Sequence, residues 1–219
     1  MSKDRLKTIS RGHTVYKLKD GTRVPGASTV SGQLAKPQLV RWANRLGLEG
    51  IDCGKYTDES AAVGTLAHAM IIAHLKGESL DTAAYSPVQV DLAENSLISF
   101  YDWLKRHSLE PILCETPLVS ERLRFGGTPD CYGLLDGEPT LLDFKTGKSI
   151  YDENLVQIAA YKQLLEEQGH PVYGCMVLRV GRDEDEGFEE RSLPDTAAHF
   201  EIFKRLLDVY YLKRDMKWS

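Results

Sequence analysis

The 219-residue chain has no apolar run of the ~18 residues that a membrane helix needs. Met1–Arg11 is polar and lacks the apolar stretch of a secretory signal, so the sequence predicts no membrane partner and a cytoplasmic location. The four cysteines (Cys53, Cys114, Cys131 and Cys175) are scattered, with no C-x-x-C pair. That pattern argues against a disulfide framework and for free thiols in a reducing compartment. No G-x-x-x-x-G-K-[S/T] loop is present, which excludes an ATP site of that kind. H-E-x-x-H is absent too, and His68 and His74 stand six residues apart, about 240° round a helix, so they cannot form an i,i+4 zinc pair. There is no internal repeat and no low-complexity linker. Basic excess is also lacking, since the net charge is −5.

What is present is ordinary globular composition, 42% hydrophobic and 27% charged, in a length that suits one domain with or without an appendage. The charge is unevenly spread. Residues 1–45 hold ten Lys/Arg against two Asp/Glu, and the remainder holds 17 against 30. A basic N-terminal segment on an acidic body is either a solvated arm or an electrostatic footprint for phosphate. The expected division is a basic hairpin-plus-helix appendage at 1–50 and a core at 51–219.

Local patterns predict the elements. His13–Val24 alternates around Asp20-Gly21 and reads as a small hairpin. Ser28 or Thr29 follows as a candidate helix cap. Pro37–Leu48 reads as a helix with Leu39, Trp42, Ala43 and Leu46 on one face and Arg41 and Arg45 as a basic i,i+4 pair. Trp42 is expected in the core, with base stacking as the alternative. Glu59–Lys76 is the next helix, ended by Gly77. Gly64 inside it is unfavourable, by roughly 1 kcal/mol against alanine, and suggests close approach of a neighbour or ligand. Val88–His107 is a second long helix with Leu92, Leu97, Ile98, Phe100, Tyr101 and Leu104 as its apolar set, and Pro111 breaks the chain beyond it. Ile112–Glu121 and Arg122–Leu135 read as strands, Tyr151–Gln168 as a helix and Pro171–Val180 as an apolar strand. Gly181–Glu190 reads as an acidic hairpin tip, and Thr196–Lys213 as the last helix.

The stretch Phe125–Gly147 organises the rest. Asp136-Gly137 is the dipeptide of a two-residue hairpin turn, with positive φ at both positions. Taken literally, that turn sets Leu135 opposite Glu138 and Asp130 opposite Asp143, with Cβ atoms roughly 5 Å apart on one face. Lys145 shares the face by alternation. Two carboxylates so close repel, so one protonates or a cation sits between them. Oxygen ligands without thiolates suit a hard ion such as Mg²⁺ or Mn²⁺, and a lysine beside it serves as a point-charge donor to phosphate. An ordinary solvated Asp–Lys pair is the competing reading of an isolated D-x-K. Glu115 is either a third carboxylate near the site or a strand-edge charge.

Four signals now stand in order: G-T-L-A-H at 64–68, T-P-D at 128–130, D-F-K-T-G at 143–147 and Q-I-A-A-Y at 157–161. Together they resemble the PD-(D/E)xK nucleases, in the branch related to the RecB nuclease domain that includes phage exonucleases and a mitochondrial genome-maintenance exonuclease. The likeness covers about residues 59–180, and Val24–Trp42 is more loosely similar to the N-terminal region of those exonucleases. The resemblance implies an α/β restriction-endonuclease-like core with a central mixed sheet flanked by helices. It implies that His68, Asp130, Asp143 and the Phe144 carbonyl hold one or two Mg²⁺ or Mn²⁺ ions, and that Lys145 contacts the scissile phosphate and orients the attacking water. Glu115 is a further acidic candidate. Gln157, Tyr161 and Thr146 are implied as DNA contacts or supports, with Ser28, Arg41 and Arg45 as further DNA contacts. Asp130 follows T-P where the branch more often has G-x-(I/V)-D, which shifts the strand end. Some relatives carry an iron–sulfur cluster with three cysteines near the C-terminus. Here no cysteine follows Cys175, so no cluster is expected. The implied activity is a DNA exonuclease of recombination, repair or replication in a bacterial or phage-infected cell. DNA is the implied partner, with a single-strand-annealing or recombination protein as a second. A structure-selective endonuclease and a catalytically silent DNA-binding module are the alternatives.

Overall fold

A few residues with special backbone freedom set most element boundaries. The computed structural model describes residues 14–183 and 185–216. β1 (Tyr16–Lys17) pairs antiparallel with β2 (Arg23–Val24), with Gly21 between them at φ +85°. His13, where the sequence starts this hairpin, lies outside the described residues, as do Lys3, Arg5, Lys7 and Arg11 of the basic segment. α1 (Ala27–Ser31) is capped by Gly26, and Ser28 and Thr29 lie inside the helix instead of capping it. The cause is tertiary. Gly126 donates its N–H to Pro25 O at 2.9 Å and Gly26 bridges Gly126, so the chain is held extended up to Gly26 and turns there.

α2 (Pro37–Leu48) has proline in its first turn as expected. Its apolar face is less buried than its spacing implies: Leu46 is buried, while Leu39 is 45% exposed. Trp42 is half-buried and meets Tyr56 edge-on at 5.7 Å instead of entering the core. α3 (Cys53–Lys76) starts earlier than Glu59 because Asp52 accepts the Lys55 N–H at 3.1 Å as its cap, and it ends at left-handed Gly77. α4 (Pro87–Leu104) opens on a Ser86/Gln89 capping box. Ile98 and Tyr101 of its expected apolar set are exposed. The buried stripe is Ala93, Ser96, Phe100 and Trp103, a 3-4-3 spacing that keeps one face inward.

The two long strands expected between 112 and 135 are each broken. β3 (Leu109–Cys114) ends at Glu115, and β4 (Leu118–Ser120) follows. β5 (Phe125–Gly127) begins after Arg124, and β6 (Cys131–Leu135) is a separate strand. Glu115 and Arg124 both take left-handed backbone, φ +49° and +59°, and each interrupts a ladder. Pro111 does not break the chain but lies within β3, an edge strand, where the register slips between Pro111 and Leu113. β7 (Glu138–Lys145), α5 (Asp152–Glu167) and β8 (Gly174–Val180) match expectation. The acidic segment turns between two strands, as a hairpin tip should: β9 (Phe188–Ser192), which the sequence did not announce, takes its last residues and pairs antiparallel with β8 before α6 (Ala197–Asp215) closes the described chain.

The main sheet runs β3-β6-β7-β8-β9, with β7 and β8 parallel and the other neighbours antiparallel. This is the α/β mixed sheet flanked by helices that the sequence implied. Side chains alternate across it. Tyr132, Leu141 and Val177 face Ile158, Leu164 and Phe203 of α5 and α6, while Leu142, Phe144 and Leu178 face Ile71, Phe100 and Trp103 of α3 and α4. Each fully buried Leu or Phe there contributes roughly 1.5–3 kcal/mol of transfer free energy. Ala27 and Val30 of α1 join the α5/α6 side of this core. Among the described residues no helix is long and apolar enough to cross a membrane.

Candidate active site

The β6–β7 hairpin has the register that its turn demands. Leu135 pairs with Glu138 and Cys131 with Leu142, and Asp136 and Gly137 both have positive φ. One step beyond the last pair, Asp130 leaves the strand and turns its carboxylate onto β7, where Oδ2 accepts the Phe144 N–H at 2.7 Å. The Asp143 side chain is 1% exposed, and Lys145 Nζ lies 2.6 Å from its Oδ2. His68, projecting from α3, brings Nε2 to 3.0 Å from the Phe144 carbonyl oxygen and 3.2 Å from Asp130 Oδ2. Its position is no accident of one contact, because its ring also meets the Phe144 ring edge-on at 6.0 Å. From the other face, Gln157 on α5 donates to Tyr161 Oη at 2.7 Å and accepts from Lys145 Nζ at 3.5 Å. All of this gathers where β7 ends, so that helices from both faces of the sheet can reach the same point.

The electrostatics follow from burial. Burial pushes Asp143 up, to about 6; the neighbouring Asp130 charge adds to this and Lys145 opposes it. Burial alone would lower His68, but the Asp130 carboxylate outweighs it and raises the imidazole to about 9. Desolvation would raise Asp130, but the charge and hydrogen bond of His68, the Lys145 charge and the Phe144 N–H together hold it low. Lys145 is raised, as Asp143 and Asp130 overcome its burial. The close Lys145–Asp143 approach is a charge contact off hydrogen-bonding angles, so Asp143 Oδ2 is buried with no hydrogen bond. A buried carboxylate is costly without positive charge beside it, and here the Lys145 ammonium supplies that charge.

Those residues fit a hard divalent cation. Asp130 Oδ2, His68 Nε2 and the Phe144 carbonyl already stand together, with the buried Asp143 carboxylate on the same strand end. Among the described residues, however, no three His, Cys, Asp or Glu side chains already form a ready metal-binding group. Lys145 draws the Asp143 carboxylate to itself instead. An open cleft of about 710 Å³ leads to this point, lined among others by Gly64, His68, Glu115, Phe144, Lys145 and Thr146.

The other sequence candidates divide. Glu115 is exposed at the cleft rim, and its N–H holds the Asp130 carbonyl at 3.1 Å. Thr146 borders the cleft and accepts from Arg182 Nη2 at 3.0 Å. Ser28, Arg41 and Arg45 are exposed on α1 and α2, and among the described residues no hydrogen bond or ion pair joins them to the cluster. Arg182 was hidden in a segment read as an acidic tip. The usable signal was topological: a strand parallel to β7 must end beside it. Two further missed contacts brace the site. Tyr16 and Thr128 share a hydroxyl hydrogen bond at 2.8 Å, and Lys36 pairs with Glu153 at 2.5 Å. Cys114 and Cys131, distant in sequence, are cross-strand partners with sulfurs 3.9 Å apart.

No family model and no curated protein matches this chain. Among solved structures it is similar to the alkaline exonuclease LHK-Exo of Laribacter hongkongensis. The form in complex with dAMP aligns at 13% identity and TM-score 0.42, over 88% of this chain and 93% of that one. A Eubacterium rectale chain provisionally named an exonuclease aligns at 9% identity and TM-score 0.47, over 69% and 65% respectively. SSO0001 aligns at 13% identity and TM-score 0.34, over 68% and 72%. All the scores lie below 0.5, and the chemistry is read from this chain's own residues.

Proposed function

We propose that this chain is a divalent-metal-dependent deoxyribonuclease, and within that class an exonuclease acting on DNA ends in phage-type recombination, repair or replication. The observation that carries the reading is the convergence of His68, Asp130, Asp143 and Lys145 at one strand end, with the Asp143 carboxylate buried against the lysine. His68, Asp130, Asp143 and the Phe144 carbonyl would hold Mg²⁺ or Mn²⁺. When bound, such an ion lowers the pKa of a water and offsets charge on the phosphoryl and departing oxygens. Lys145 presents ammonium N–H donors to a non-bridging phosphate oxygen and to the attacking water. Gln157 and Tyr161 limit the directions in which that lysine can point. Water adds to phosphorus as the P–O3′ bond breaks, and the leaving oxygen takes up a proton.

The deciding experiment uses one labelled linear duplex and one labelled closed circular single strand, with Mg²⁺, Mn²⁺ or EDTA. Loss of the linear substrate alone, abolished by EDTA, is the expected outcome, and the label positions then give polarity. Cutting of the circle would move the reading to an endonuclease. Binding without cleavage in either metal would replace it with a DNA-binding module.

A further inference from the structure

The segment after β8 is acidic, yet it carries one arginine that the fold delivers to the same site. β7 and β8 are parallel, with Lys145 beside Arg179, so Gly181 and Arg182 leave the sheet at the end where Thr146 and Gly147 leave it. The backbone of Arg182 is held on both sides. Asn95 on α4 donates to its carbonyl at 3.1 Å, and its N–H donates to Glu186 Oε2 at 3.0 Å. Glu186 also lies 4.0 Å from Arg179 Nη1, and its charge partly offsets the burial that lowers the Arg182 guanidinium. The guanidinium reaches back to Thr146, which lines the cleft: Nη2 donates to its hydroxyl at 3.0 Å, and Nε is buried with no hydrogen bond.

Gly64 makes the room. It sits on α3 one turn before His68, and a Cβ there would stand 2.9 Å from Thr146 Oγ1 and 3.1 Å from Arg182 Nη2. Glycine inside a helix is unfavourable, and here the space it leaves is filled by an arginine head beside the cleft. A guanidinium offers a planar fork of donors that matches phosphate, where Lys145 offers a point charge. A neutral hydroxyl fixes its direction without neutralising it.

We infer that Arg182 is a phosphate-binding residue of this site, gripping a backbone phosphate of the bound DNA strand next to the one that is cleaved. This rests on the deoxyribonuclease reading above. The test measures binding of a labelled DNA end by fluorescence anisotropy, with Ca²⁺ in place of Mg²⁺, over a series of KCl concentrations. Arg182→Gln should weaken binding about tenfold and reduce the slope of log K against log salt by about 0.7–0.9, the loss of one phosphate contact. In Mg²⁺ its KM should rise while kcat at saturating DNA holds, as for a contact made equally in the ground and transition states. Gly64→Ala should keep or raise Tm through helix propensity, yet lose affinity by displacing the guanidinium. A prop for the fold would show the reverse, a lower Tm with unchanged slope. A folded Arg182→Gln with wild-type affinity and slope would overturn the inference. If that variant does not fold, Gly64→Ala decides by the same two readouts. Failure of the unsubstituted protein to bind or cleave DNA would instead remove the nuclease reading itself, and with it this inference.

Discussion

The β6–β7 hairpin carries a His–Asp contact at each end. At the open end, His68 Nε2 lies 3.2 Å from Asp130 Oδ2; at the turn, His107 Nδ1 lies 2.8 Å from Asp136 Oδ2. The turn pair has the shorter distance, and it is a finished structural device. Asp136 also accepts the Ser108 N–H at 2.8 Å, His107 reaches Glu190 at 3.3 Å, and its ring stacks on Trp103 at 4.9 Å. Asp136 is half exposed to solvent. At the open end the pair is joined by the buried Asp143–Lys145 contact and by the Phe144 carbonyl, which His68 Nε2 approaches to 3.0 Å, and a cleft opens onto them. A histidine beside an aspartate is therefore not what makes a site. Buried charged groups gathered at a place a ligand can reach are what distinguish one end from the other.

The largest contrast is in cleavage. Asp143→Asn or Lys145→Ala should lower DNA cleavage by about 10³-fold or more, by removing charge aimed at the reacting phosphate. Asp136→Asn at the turn should change it less than about twofold. Comparable losses at both ends, in single-turnover assays of folded protein, would collapse the distinction. His68→Asn should raise the Mn²⁺ concentration for half-maximal activity by about 10–100-fold or more, while His107→Asn leaves it unchanged; a metal titration separates them.

Midway along the hairpin the expected effect is on stability alone. A Cβ at Gly133 would come within 2.3 Å of the Glu110 carbonyl oxygen, which is backbone and cannot move aside cheaply. Gly133→Ala should cost about 1–3 kcal/mol in urea unfolding. An unchanged midpoint would mean that β3 is held less firmly than its register implies. The smallest effect belongs to His107. Burial would lower its pKa, but Asp136 and then Glu190 raise it. A raised folded value means stability that is present below the unfolded pKa of about 6.5 and lost as pH rises through the folded one. His107→Gln should therefore lower Tm by about 1–3 °C near pH 6 and by less near pH 9, since the partners are solvent-exposed. A larger loss at high pH would contradict the sign.

Much of the open end was legible before any coordinates. Asp136-Gly137 determined the hairpin register by turn geometry alone, and alternation put Asp143 and Lys145 on one face, whereas Asp130, expected opposite Asp143, leaves the strand one step beyond the last pair and turns its carboxylate onto the Phe144 N–H. The i,i+4 spacing of Gln157 and Tyr161 put them on one helix face, where they hydrogen-bond, and Gly64 announced a close neighbour without saying which. Such features depend on bonds and dihedrals within a few residues, which is what a linear sequence encodes directly. Other features needed the assembled sheet. Arg182 meets Thr146 because β8 lies parallel to β7, and Cys114 meets Cys131 because β3 pairs with β6. Glu115 breaks its strand in left-handed backbone, with its N–H tied to Asp130 across the sheet. Trp103, not Tyr101, fills the core because α4 is rotated by what it packs on. Local sequence determined which side chains could share a strand face or a helix turn. Only the tertiary structure decided which distant segments meet, because that depends on strand order and helix packing summed over the whole chain.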